Sequence, residues 1–356
     1  MRHSRRDLLT HTARVAALSI GAQVARPFFA VDRAFAQAGT GVTGSAAPSP
    51  REQTGMRLVL LGTQGGPNVN LQRAQNAQAI VVDGRPYLVD CGYGAVRNLV
   101  AAGLGYTQVG SIFLTHLHDD HTSDLPALLS LQWTGSRSQP TDVYGPYGTA
   151  ALVDAAVAFA KANADIRRVD EERTARPESM FHGHDLPATV TAAQAFADDR
   201  LTVRTIENTH FPERSKAKMA YRAIAYRFEA RGRSIVISGD TAYSKNLVEL
   251  ARGADLFVCE AMDQSIYEST VARAKAAADA GNANAGVLRH VADTHSTTSD
   301  VGRMAAEANV KTVVLTHLLP GSNRAGTTEF PDSNYIDGVR QHFSGEVIVG
   351  RDLMVL

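Results

Sequence analysis

The segment Thr115-His116-Leu117-His118-Asp119-Asp120-His121 places three imidazoles and two carboxylates within seven residues. It follows directly on Ser111-Ile112-Phe113-Leu114, an apolar run that reads as a short buried strand, so the first polar groups sit at the end of a rigid element. Neutral imidazole and carboxylate are donors that zinc accepts, and a tetrahedral site needs further side chains from later in the chain. The pattern is H-x-H-x-D-H, with His116, His118, Asp120 and His121 at its fixed positions and Asp119 as the variable residue. The pairs His116 with His118, and Asp120 with His121, suggest two adjacent metals. Burying such a cluster without partners would be costly, which argues against a purely structural role.

Further donors stand at the ends of later strand-like runs. Leu201-Thr202-Val203-Arg204-Thr205-Ile206 alternates as a half-buried strand and leads through Glu207-Asn208-Thr209 to His210. Ser234-Ile235-Val236-Ile237 runs into Ser238-Gly239-Asp240-Thr241, and Val313-Val314-Leu315-Thr316 runs into His317. His295 lies in Thr294-His295-Ser296-Thr297-Thr298, before a helix carrying Val301, Met304 and Ala305. Earlier, Tyr87-Leu88-Val89-Asp90 closes a hairpin with Ala79-Ile80-Val81-Val82, and Asp90 can support the metal ligands or cap the helix that follows. Gly62-Thr63-Gln64-Gly65-Gly66-Pro67 lacks the lysine and spacing of a phosphate loop and reads as a tight turn. His182 and His184 have no preceding strand and read as surface histidines. The mixed-charge stretch 163–200 reads as a lid or insertion at the rim.

These motifs resemble the metallo-β-lactamase superfamily, and the likeness extends over about residues 56–356. The opening L-G-T-x-G-G-P, the D-C-G at Asp90, the S-G-D-T at Asp240, the E-A at Glu260, and the H-S-T then L-T-H succession are similar to its ribonuclease Z-like and arylsulfatase-like branch. The resemblance implies an α/β fold, a four-layer αββα sandwich with the metals at one edge. It also implies two zinc ions: His116, His118 and His210 hold one, Asp120, His121 and His317 hold the other, and Asp240 bridges. Asp90 and Glu260 would be supports. A diiron, oxygen-reducing relative would be expected to replace His118 with Glu, so its presence favours zinc hydrolysis. By the same pattern the catalytic residues are Asp120, orienting a hydroxide shared by the metals, and His295, protonating the leaving oxygen or holding the developing anion.

The bulk composition narrows the partners. Lys plus Arg equals Asp plus Glu, 36 each, so no net basic field announces nucleic acid. Arg214, Lys216, Lys218 and Arg222 form a local cationic run that could attract an anion. Formal charge at a two-zinc centre stays positive, which favours an anionic ester over a neutral amide. The expectation is therefore an exported hydrolase of small phosphodiesters or aryl sulfates, with no nucleic-acid partner, no membrane span and a homodimer left open. Ribonuclease Z-type tRNA 3′-end processing is the alternative, lacking a basic Gly-Pro arm and the Arg-Tyr after the last histidine, here Leu318-Leu319-Pro320. Lactone or lactam hydrolysis is a further alternative, weakened by the H-S-T segment. Export is read from Arg5-Arg6, a modest apolar stretch and Ala34-Phe35-Ala36, together resembling a twin-arginine signal over 1–36, with a linker over 37–55 and a periplasmic or secreted mature protein. Cys91 and Cys259 adjoin apolar runs and read as free buried thiols.

Overall fold

In the first strand, β1 (Met56–Gly62), Leu58 and Leu60 alternate with Val59 and Leu61, and all four are buried. A strand apolar on both faces must be covered on both. Leu58 and Leu60 enter a core shared with Val203, Ile224, Phe228, Ile235 and Val258, while Val59 and Leu61 pack beneath helices. This computed structural model describes residues 54–322 and 328–356. The signal read at 1–36, and the linker except for Thr54 and Gly55, lie outside them.

The chain continues with β2 (Ala77–Val82), β3 (Arg85–Val89), α1 (Ala95–Ala101), β4 (Ser111–Phe113), α2 (Asp119–Thr122), α3 (Leu125–Thr134), β5 (Thr141–Gly145), α4 (Thr149–Asp170) and β6 (Phe181–Asp185). The second half holds β7 (Ala193–Ala197), β8 (Thr202–Glu207), α5 (Glu213–Lys216), β9 (Ile224–Ala230), β10 (Arg233–Ile237), α6 (Lys245–Ala251) and β11 (Leu256–Met262). It ends with α7 (Gln264–Asp279), α8 (Ala285–Thr294), α9 (Thr298–Ala308), β12 (Thr312–Leu319), α10 (Asp332–Arg340) and β13 (Glu346–Val349). One sheet runs in the order β1 to β6 and the other from β13 back to β7.

Both sheets begin antiparallel and turn parallel, at β3 in one and β10 in the other. The two halves thus repeat one plan. Helices α1, α3 and α4 cover the outer face of the first sheet, and α6, α9 and α10 that of the second. The result is the expected αββα sandwich. Between the sheets, Phe113 stacks on Tyr144 at 5.4 Å and meets Tyr226 and Phe228 edge-on. Such pairs add about 0.5–1.5 kcal/mol each beyond area burial.

The stretch 163–200 is not an insertion. It forms the end of α4, then the edge strands β6 and β7, whose residues are mostly half-buried or exposed. An edge strand carries polar groups that discourage further pairing, and here they obscured its period. Helices α7 and α8 pair with each other and, as fully buried residues, contribute only Thr270 and Thr294. Cys91 and Cys259 are free and buried. No described helix is long and apolar enough to cross a membrane.

Candidate metal centre

Every residue singled out as a ligand lies just past, or at the end of, a strand. Asp90 follows β3, the histidine motif follows β4, His210 follows β8, Asp240 follows β10, and Glu260 and His317 lie near the ends of β11 and β12. The repeated plan brings these ends to one edge. Asp90 and Asp240 occupy corresponding places in the two halves, each after the strand where pairing turns parallel. The halves approach closely there: Gly239, at φ +59°, would bring a Cβ within 2.7 Å of Thr115, so a side chain would push the Asp240 loop off the histidine motif. Asp90 and His317 also hold left-handed backbone, at φ 55° and 41°. Such conformations cost of order 1 kcal/mol or more and persist where surrounding structure fixes them.

Two ligand groups result. In the first, His118 Nδ1 lies 2.9 Å from His116 Nε2 and 3.2 Å from His210 Nε2. Burial lowers the pKa of all three, so each offers a lone pair rather than a positive charge. In the second, Asp120, His121, Asp240 and His317 bring their donor atoms within 4.8 Å of one another. His317 Nε2 is 3.2 Å from Asp120 Oδ2 and 3.3 Å from Asp240 Oδ2. Burial opposes ionisation of Asp120, yet His121 and His317 hold its carboxyl down at about 2. Asp240 faces both groups, through His116 at 3.8 Å and His121 at 3.2 Å.

A second layer fixes these rings. Asp90 Oδ2 lies 2.7 Å from His121 Nδ1 and accepts from Asn76, while Asp90 Oδ1 accepts from the Thr115 N–H. Asp90 does not cap α1. Asp124 does so, accepting from Gly94 and Val96 N–H. His210 Nδ1 sits 3.2 Å from the Thr294 carbonyl, which fixes its ring from the end of α8. Glu260 Oε2 lies 2.7 Å from His295 Nδ1 and its other oxygen accepts from the Thr241 N–H. Although burial disfavours its charged form, His295 is held above the usual histidine range by Glu260 and Asp240. His295 is therefore more than a neighbour of α9, whose cap is a Thr297–Asp300 box.

The donor set fits a pair of divalent ions. His121 Nε2 and Asp240 Oδ1 are buried without a hydrogen bond among the described residues, although they lie 3.2 Å apart. Unsatisfied buried donors and acceptors are costly unless something binds them. Imidazole nitrogen and carboxylate oxygen in this number suit two metals of the zinc class. One residue escaped the sequence reading. His290 on α8 lies 5.2 Å from His210, 5.8 Å from His118 and 6.0 Å from His295, ring centre to ring centre. Burial and the nearby histidines push it down to about 4, so it stays neutral at the mouth of the centre. Its only signal was its place four residues before Thr294, on the same helix face.

A family profile described as a beta-lactamase superfamily domain matches residues 85–318, more than half of the chain and the whole span from Asp90 to His317. The chain belongs to the metallo-β-lactamase superfamily. It is a hydrolase of that superfamily, whose members usually bind divalent metal. It is 31% identical over 268 residues to a ribonuclease Z of Mycobacterium sp. strain KMS, covering 74% of this chain and 85% of that protein. A ribonuclease Z of Mycobacterium bovis strain BCG / Pasteur 1173P2 is 28% identical over 302 residues, covering 84% and 96%. Among solved structures, the short form of human tRNase Z matches with a TM-score of 0.57 and 24% identity over 84% of this chain and 98% of that one. The metallo-β-lactamase fold protein YhfI of Bacillus subtilis matches with 0.58 and 19%, over 85% and 99%. These two likenesses speak to the superfamily fold.

Two expectations are corrected by these relatives. A hydrolase restricted to small phosphodiesters or aryl sulfates, with no nucleic-acid partner, does not stand beside homologues that are named as ribonucleases over most of the chain. The zero net charge that argued against nucleic acid sums over the whole surface, whereas a polyanion responds to the field at the site. Close to the centre the cations are mostly paired: Lys216 to Glu207 at 2.7 Å, Arg214 to Asp293 at 2.8 Å, and Arg222 to Glu207 at 3.7 Å. Lys218 is exposed and its ammonium pairs with no described residue.

Proposed function

We propose that this protein is a zinc-dependent endoribonuclease of the ribonuclease Z type, hydrolysing a phosphodiester at the 3′ end of precursor tRNA. The observation that carries the reading is the match to proteins named ribonuclease Z over as much as 84% of this chain and 96% of theirs. The centre supplies chemistry that suits it. His116, His118 and His210 would hold one zinc, Asp120, His121 and His317 the other, with Asp240 between them. Zinc at such a site supplies Lewis acidity toward a phosphoryl oxygen and lowers the pKa of water to about 7.

The chain's own residues then orient and move protons. Asp120, held ionised by His121 and His317, would orient the attacking water by accepting a hydrogen bond from it. His295, with Nδ1 held by Glu260, turns Nε2 toward the substrate and donates a proton to the leaving ester oxygen as the bond breaks. The Glu260 carboxylate favours the protonated form of that imidazole. Lys218 offers positive charge to a flanking phosphate.

The test is cleavage of a 3′-extended precursor tRNA by zinc-loaded protein at physiological salt. A single cut near the 3′ end, lost in Asp120→Ala, is the expected result; intact precursor after prolonged incubation defeats the reading. Export through residues 1–36 is a separate proposal. N-terminal sequencing of the mature protein from periplasmic and cytoplasmic fractions checks it, with a start near Gln37 in the periplasm expected and a cytoplasmic protein retaining Met1 contradicting it.

A further inference from the structure

A cavity of about 450 Å³ opens beside the metal centre, lined by Leu117, His118, Leu152, Phe211, Met219 and Tyr221. It shares His118 with the centre, yet the rest of its wall is apolar or aromatic. Tyr221 is 47% exposed at the mouth, and Tyr147, 55% exposed, lies 5.8 Å away ring to ring. The local backbone makes room for the Tyr221 ring. Gly148 has φ +99°, and a Cβ there would come within 2.8 Å of Tyr221 and 3.0 Å of Leu117. The Arg222 guanidinium donates to the carbonyls of Met219 and Tyr221 at 2.8 and 2.9 Å, which fixes the turn carrying the ring.

None of these features serves phosphate chemistry, and two large aromatic rings left open to water ask for a flat partner. Every nucleobase has a π-face, so an aromatic platform binds bases without reading sequence. Because His118 lines both the cavity and the histidine group, a base in the cavity and a phosphate at the centre can belong to one nucleotide or to neighbours along the strand. Lys218, unpaired among the described residues, lies three residues from Tyr221 and complements a neighbouring phosphate. We infer that the cavity receives the base of a nucleotide adjoining the scissile phosphate, stacked on Tyr221. The inference deepens the ribonuclease reading and rests on it.

The experiment uses zinc-loaded full-length protein and a 3′-extended precursor RNA, intact or carrying one abasic nucleotide immediately before or after the cut. At one of the two positions, base removal is expected to lower kcat/KM by roughly 10-fold, the scale of stacking on an aromatic side chain. Tyr221→Ala brings the intact-to-abasic ratio at that position close to one, and Tyr221→Phe, which keeps the ring, retains the preference. Tyr221 is half exposed, so its truncation leaves the fold in place, as a thermal melt of the variant will verify. Equal rates on intact and abasic RNA, or a preference that survives in Tyr221→Ala, overturn the inference while leaving the ribonuclease reading intact. No RNA cleavage at all overturns both.

Discussion

The two ligand groups of the centre are built from different chemistry. His116, His118 and His210 are three imidazoles that burial keeps neutral, and the carboxylate facing them is Asp240, 3.8 Å from His116. Asp120, His121 and His317 place imidazoles against carboxylates, Asp120 on one side and Asp240 on the other. A dication entering the first group meets three lone pairs and the Asp240 carboxylate; one entering the second meets the carboxylates of both Asp120 and Asp240. The second group should therefore hold its ion more tightly, and Asp240 couples the two.

Removing Asp240 should have the largest effect, because it belongs to both groups. Asp240→Ala is expected to bind less than one zinc per chain by elemental analysis and to lose RNA cleavage by on the order of 10³-fold or more, several kcal/mol of charge stabilisation being lost. If that variant keeps two ions, the coupling is wrong. Single-group changes come next. His118→Ala and His317→Ala should each retain about one ion, with stepwise chelation of the wild type emptying the all-histidine group first. Cobalt substitution, followed through its visible absorption, would distinguish the groups, and simultaneous loss of both ions would remove the contrast between them.

Supporting carboxylates should give smaller effects of two kinds. Asp90→Asn acts through His121, and zinc affinity should fall by roughly 10- to 100-fold, the usual cost of losing an orienting carboxylate. Glu260→Gln acts through His295, so kcat should fall while zinc content stays near two ions. A loss of zinc in Glu260→Gln would place that carboxylate among the metal supports instead. The smallest effect belongs to Lys218→Gln, which should weaken RNA binding at every sequence and reduce the salt slope of log affinity by about 0.7, one phosphate contact to a single strand. An unchanged slope would take Lys218 out of the interface.

The same contrast explains what could be read from the sequence. The compact motif at His116–His121 is local, and the later candidates, at the ends of strand-like runs, were named through the family resemblance; the structure gathers all seven at one edge. The buried strands of the sandwich were visible because they carry continuous apolar runs. Edge strands β6 and β7 were not visible, since half-exposed residues lose that pattern. His290 was missed because it reaches the centre from α8, a helix whose own sequence carries no motif. Asp90 had two equal readings until the backbone showed Asp124 occupying the start of α1. Nucleic acid was discounted in part from a whole-chain charge sum, a quantity blind to where Lys218 sits, and in part from a missing basic arm and Arg-Tyr pair that the match to ribonuclease Z outweighs.

A zinc titration of metal-free protein, with cleavage of a 3′-extended precursor tRNA as the readout, bears most directly on the claim that two coupled ions drive RNA hydrolysis. Activity should rise steeply between the first and second equivalents and level off at two. Protein carrying both ions that leaves the RNA whole, or full activity at a single equivalent, would contradict it.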